Sequence, residues 1–324
     1  MRTAASFLIL LLLAAPASAF DCGKAKTRIE KTICANPQLK AADDAMAEAY
    51  GDAKALSTDA EKKMLARSQK RWIASRDEAC NEQAQAELPG CLAEETSNRI
   101  GDLAPKAEQG PGYEGRLMPV FVAQDGAKGI YDVDVVTMRF VEPKTDAENL
   151  FNAYAAKMVK DAPLGKQADV ADEENLGLQA SLKLAYASPR LISAQQTFYE
   201  DGGGAHGNGG VENLNLDMEK GRALALSDIL PQAVVGELRK KCKDQIIAQK
   251  KEHEDGYDPS TDDFLKDEVI AEHIGDLSRW GLTEKEATVS FDSYAIGAYA
   301  EGTFDCVFPM ADLKAMALPN APLP

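Results

Sequence analysis

The chain has 324 residues, with 36 basic and 52 acidic side chains and a formal charge of −16 at neutral pH. That excess argues against nucleic acid or anionic lipid as a partner, since phosphates repel it. It suits a cationic partner, or serves only to keep an exported protein in solution. The length allows two domains, each with its own core.

The first residues read MRTAASFLILLLLAAPASAF. One basic residue, Arg2, precedes an apolar run from Phe7 to Leu13, then come Pro16 and Ala17-Ser18-Ala19. This is the pattern of a secretory signal peptide (1–19) cleaved after Ala19. The run is shorter than the roughly 18 apolar residues that span a bilayer, and no other stretch approaches that length. No cysteine stands at the cleavage site to carry a lipid. A soluble periplasmic protein is expected.

Residues 20–105 read as a compact helical domain. Thr27 and Glu30 have the spacing of a capping box, in which each side chain satisfies the other's backbone donor. A short helix to Cys34 follows. Pro37 suits a first helical position, and Leu39, Ala42, Met46, Ala49, Ala53 and Leu56 recur at helical spacing. Thr58 and Glu61 form a second capping box before a third helix, with Leu65, Ser68, Trp72 and Ala79 along one side. A loop over 81–90, ending in Leu88-Pro89-Gly90, leads to a last helix with Leu92, Thr96, Arg99 and Leu103.

A core this small needs staples. Six cysteines, Cys22, Cys34, Cys80, Cys91, Cys242 and Cys306, in an exported chain read as disulfides. Neighbour pairing, Cys22 with Cys34 and Cys80 with Cys91, is expected, each contributing about 3 kcal/mol by loop entropy. Crossed pairing is the alternative. These residues carry a net charge of −2, which leaves about −15 for 106–324.

The stretch PKAEQGPG (105–112) has two prolines, two glycines and no apolar period; residues 106–113 are assigned as a linker. From 114 to 324 the pattern becomes that of an α+β domain on an antiparallel sheet. Leu178, Ala180, Leu182, Leu184 and Tyr186 alternate with polar or small residues, as in a half-buried strand. Further strands are expected at 131–140, 191–200, 211–217, 287–294 and 302–308, and helices at 146–160, 231–252 and 262–275. Val235, Leu238, Cys242 and Ile246 share a helical face, and Phe304, Cys306 and Phe308 share a strand face. A Cys242–Cys306 disulfide follows.

Candidate sites begin with EDGGGAHGNGG (200–210), which packs six glycines around His206, one of three histidines. It joins two expected strands and matches no phosphate loop. Glycines there supply positive φ for a tight turn, and His206 either bonds that turn or faces a partner. No serine or cysteine nucleophile motif accompanies a histidine. Glu272-His273 lacks the second histidine of a zinc helix, and HEDGYDPSTDD (253–263) lacks calcium-loop order, so it reads as a solvated loop. No metal and no cofactor is expected. Tyr294 and Tyr299, in SYAIGAYAEG, are either a recognition surface or edge residues of the core.

Two resemblances follow. Phe20-Asp21-Cys22, Ala25, Thr27, Glu30, Ile33-Cys34, Pro37, Leu39, Gln69, Arg71-Trp72, Arg76-Asp77, Cys80 and Cys91-Leu92 resemble the LprI-type lysozyme-inhibitor domain. Alanine at 42 departs from the leucine usual there before the aspartate. Gly203-Gly204-Ala205-His206-Gly207, Asn215 with Asp217, Gly221, Leu226 with Asp228, and YAIGAYAEG resemble the extracellular domain of RsiV-type anti-sigma factors, over about 115–315. The resemblances imply a non-enzymatic protein that binds lysozyme, c-type in the first instance, or another cationic envelope protein. His206, Gly203, Gly204, Asn208, Tyr294 and Tyr299 are the candidate binding residues. The alternatives are a peptidoglycan or envelope-binding module, and a wall-acting enzyme that uses His206.

Overall fold

The computed structural model describes residues 20–106, 108–109, 113–253 and 256–324. The expected signal peptide and half of the expected linker lie outside them. The chain divides into two compact units, one holding 20–56 with 73–103 and the other 57–72 with 104–324.

Four helices dominate the first part: α1 (Arg28–Ala35), α2 (Pro37–Leu56), α3 (Asp59–Asn81) and α4 (Leu88–Leu103). Both capping boxes form. The Glu30 carboxylate accepts from the Thr27 N–H at 2.9 Å while Thr27 Oγ1 accepts from the Glu30 N–H at 3.1 Å. Glu61 and Thr58 do the same ahead of α3. Pro37 opens α2, where a missing N–H costs no intrahelical bond.

The smaller unit's core is Ile29, Ile33, Leu39, Cys80, Leu88 and Leu92. Disulfides join Cys22 to Cys34 and Cys80 to Cys91, the neighbour pairing. Two expectations need correcting. Leu88-Pro89-Gly90 is the first turn of α4, not loop, because a proline within a first turn forfeits no hydrogen bond. On α3, Ala79 is exposed, and Arg76 and Cys80 are buried instead.

The larger unit is α+β. Its strands are β1 (Glu108–Gln109), β2 (Leu117–Gln124), β3 (Asp132–Phe140), β4 (Gly177–Ala187), β5 (Leu191–Asp201), β6 (Asn208–Asp217), β7 (Arg222–Ala223), β8 (Trp280–Leu282), β9 (Glu286–Phe291) and β10 (Phe304–Pro309). Its helices are α5 (Asp146–Asp161), α6 (Leu226–Ile229), α7 (Gln232–His253), α8 (Asp267–Gly275) and α9 (Met310–Met316). The antiparallel-rich architecture expected is arranged as two sheets. One runs β2-β3-β4-β5-β6-β7 with β1 beside β4, and the other β10-β9-β8. The β3–β4 and β1–β4 pairs are parallel, and the rest are antiparallel.

Helix α5, closed by a Thr145–Glu148 capping box, covers one face of the large sheet. Phe140, Phe151, Leu182, Ile192 and Leu216 pack there. Beyond the other face lies a second core of Leu238, Cys242, Trp280, Phe291, Phe304 and Phe308. The expected Cys242–Cys306 disulfide crosses it.

Asn215 ties the large sheet to this second layer, donating to the Leu277 and Trp280 carbonyls at 2.9 and 2.7 Å. The free edge of β10 is covered by side chains of α7. Gln245 and Gln249 each exchange two hydrogen bonds with the backbone of Val307 and Asp305, which closes an edge otherwise open to another strand.

Candidate functional site: an aromatic cluster on a glycine-rich hairpin

The glycine stretch joins β5 to β6 as a hairpin, with Glu200 paired to Asn208 and residues 201–207 as the loop. That loop is longer than the tight turn expected. Among its glycines only Gly203 has a positive φ, +85°, where its N–H bonds the Asp201 carboxylate. Two further glycines, Gly207 in the loop and Gly210 in β6, lie against aromatic rings. A Cβ on Gly207 would stand 2.5 Å from the Tyr199 ring and 2.8 Å from the Glu200 carbonyl oxygen. One on Gly210 would stand 2.9 Å from the Phe198 ring. Tyr199 and Phe198 alternate to opposite faces of the hairpin, and each lies over bare backbone of the neighbouring strand.

His206 sits at the loop's end. Its ring stacks on Tyr299 with centroids 3.9 Å apart and planes 17° apart. Nδ1 lies 3.0 Å from the Gly207 carbonyl oxygen and Nε2 lies 3.0 Å from the Tyr294 hydroxyl. A carbonyl only accepts, so Nδ1 carries the proton and Nε2 of the neutral ring accepts from Tyr294. Tyr299 also donates to the Gly207 carbonyl, at 3.0 Å. Both nitrogens are thus engaged within the cluster.

Tyr294, 52 % exposed, presents its ring to solvent from a backbone with φ +71°. A bulky side chain there is strained, and such strain gathers at binding surfaces. Three of the candidate residues, His206, Tyr294 and Tyr299, thus meet in one cluster. Gly203 and Gly204 shape its loop, and Asn208 stands exposed at the first pair of β6.

The second tyrosine is placed by a buried charge. Lys250, on α7, is 2 % exposed and bonds Asp262 at 2.8 Å and Glu301 at 2.9 Å. The other Glu301 oxygen accepts from the Ala298 N–H and starts the short 3-10 turn Tyr299–Glu301. Burial raises the Asp262 carboxyl, but hydrogen bonds from Lys250, Tyr257 and the Phe264 N–H outweigh it and hold it at about 2. The segment 253–263 is therefore not all solvated loop, because Asp262 is drawn inward to Lys250.

The remaining residues of the second resemblance shape corners. Asp217 caps the turn at Glu219 and Lys220, and Gly221 supplies a φ of +64°. Asp228 accepts from Arg222 and the Ala225 N–H, which hold its carboxyl far below the usual range. His273 stacks on Phe291 and burial lowers its pKa. No group of three metal-ligating side chains occurs among the described residues.

A groove of about 540 Å³ lies on the opposite face of the same hairpin, against α5. Leu178, Ala180 and Phe198 line its apolar side; Asp161, Glu200 and Glu212 line its acidic side. Neither Tyr199 nor this groove stood out in the sequence. The available signal was two adjacent aromatics placed across a hairpin from glycines.

Residues 21–103 match the family model described as lysozyme inhibitor LprI. Residues 227–311 match a protein family of unknown function, DUF3298. Tyr294 and Tyr299 fall within the second match, and His206 falls outside it. No curated protein matches the chain. Solved structures similar to it include two from the DUF3298 family. A DUF3298 family member from Bacteroides fragilis has a TM-score of 0.44 and 17 % identity, covering 64 % of this chain and 95 % of its own. A DUF3298 family protein from Pseudomonas aeruginosa has a TM-score of 0.42 and 18 % identity, covering 65 % and 98 %.

Proposed function

We propose, from the LprI domain at 21–103 and the DUF3298 domain at 227–311 that this chain carries, that the protein is an exported, non-enzymatic binder of lysozyme in the periplasm. The observation that carries this reading is the LprI match, with both of its disulfides formed. Three disulfides and no free cysteine among the described residues fit an oxidising compartment. Residues 106–324, with a net charge of about −15, would speed encounter with a cationic enzyme at low salt.

The test adds purified mature protein to a lysozyme assay on suspended cell wall. Slower lysis and direct binding, both weakening as salt rises, are expected. No inhibition together with no binding at low salt overturns the reading.

A second reading rests on the exposed tyrosine ring beside His206. Stacked aromatics at a rim suit a peptidoglycan or other wall component. Co-sedimentation with insoluble wall, lost in Tyr294→Ala, would favour it, whereas a pure lysozyme binder stays in the supernatant.

A further inference from the structure

A buried acid lies against the first described residue. Asp43, on α2, is 8 % exposed, and its carboxylate accepts a hydrogen bond from the Phe20 backbone N–H. Its Oδ2 is buried and has no hydrogen-bond partner among the described residues. A peptide N–H brings one proton and no net charge, so it meets part of a carboxylate's acceptor capacity and none of its charge. Burial therefore dominates and raises the Asp43 carboxyl, against smaller opposing effects of the Phe20 N–H, Lys40 and Arg76. Asp44 adds to the rise. A buried carboxylate in this state is costly, and folded chains seldom keep one without a reason.

Phe20 is also the residue after Ala19. Hydrolysis of the Ala19–Phe20 amide by a signal peptidase consumes one water. It leaves a carboxylate on Ala19 and an amine on Phe20, which takes up a proton from solvent at neutral pH. The same nitrogen then carries three protons and a positive charge.

We infer that the Asp43 pocket is the seat of the Phe20 α-ammonium, which bonds both carboxylate oxygens in an ion pair that the uncleaved chain cannot make. The inference rests on the export reading above and extends it: removal of the leader completes the packing of the helical unit. The approach is already built. The Cys22–Cys34 disulfide anchors the chain two residues on, and Asp21 accepts from the Gly23 N–H at 3.0 Å. Phe20 is thereby held within reach of α2.

The test compares the full mature chain beginning at Phe20 with the same chain bearing one extra N-terminal alanine. Each is made with and without D43N, and stability is read by chemical denaturation. The expected result is a loss on extension when Asp43 is present and no loss in the D43N background. Equal losses in both backgrounds, or none in either, overturn the seat. Lys40, Asp44 and Arg76 are common to all four chains.

Should D43N fail to fold, the amine itself decides. ¹⁵N-labelled at Phe20, it is expected to titrate above the ordinary α-amino range of about 7.7–8.0, and titration within that range overturns the ion pair. N-terminal sequencing of the exported protein reads the processing separately. Phe20 as the first residue is expected. Any other first residue overturns the natural seat, whatever the lysozyme assay returns.

Discussion

The two units hold themselves together over different distances along the chain. In the helical unit the disulfides bridge sequence separations of 12 and 11, and each capping box works within one turn. In the α+β unit the disulfide bridges 64 residues. Its buried lysine reaches Glu301, 51 residues on, and His206 meets tyrosines 88 and 93 residues away. Local caps and staples fix the ends of the first unit's elements, while its core lays Ile29, Ile33 and Leu39 against Leu88 and Leu92. The second is fixed by contacts that exist only once distant segments have met, and these include the whole aromatic cluster.

The largest expected effect tests that difference directly. Removing the long bridge by Cys242→Ala with Cys306→Ala should cost about 4 kcal/mol, against about 3 kcal/mol for Cys22→Ala with Cys34→Ala. Urea denaturation measures both. A larger loss from the short loop would break the comparison.

Next comes Lys250→Met, which strands the Asp262 carboxylate and should cost about 3 kcal/mol. The pH dependence sharpens it. Asp262 is held at about 2 in the folded protein, below its ordinary value near 4. Its contribution is therefore complete above about pH 4 and is lost as pH falls towards 2. That acid limb should shrink in Lys250→Met, and an unchanged limb would remove Asp262 from the account.

Gly207→Ala drives a Cβ against the Tyr199 ring and should cost about 2 kcal/mol. Tyr199→Ala in the same chain relieves only the ring contact, since the Glu200 carbonyl oxygen stays close. Full recovery of stability would show the backbone contact to be unimportant. The smallest effect belongs to the helical unit: Thr27→Ala removes one cap and should cost about 1 kcal/mol by thermal denaturation. A loss as large as that of Lys250→Met would mean that a single local cap matters as much to the helical unit as the buried charge does to the larger one.

These distances also explain what could be read from residues alone. Helix positions and capping boxes need only near neighbours, whereas for the Cys242–Cys306 pair a period of 3.6 or 2 indicated only that each cysteine lies on the buried face of its own element. Six of the large unit's strands were legible from alternation as well, although β6 begins at Asn208 rather than 211 and β9 ends at Phe291 rather than 294. Strand β2 escaped notice because it is buried on both faces, which erases the alternation. Helix α8 begins at Asp267, not 262, because Asp262 is taken up by Lys250.

The candidate cluster divides in the same way. By itself the sequence determined that His206 lies in a strand-to-strand connection and that Tyr294 and Tyr299 stand near glycines. It also placed Lys250 four residues beyond Ile246 on the buried face of α7, where a lysine by itself gives no indication of its partners. Only the tertiary structure decided that His206 stacks on Tyr299, that Tyr199 and Phe198 account for glycines 207 and 210, and that Lys250 has two carboxylates waiting for it. Periodicity reports which face of an element is buried. It carries no information about which distant face will be laid against it, and that pairing builds the cluster.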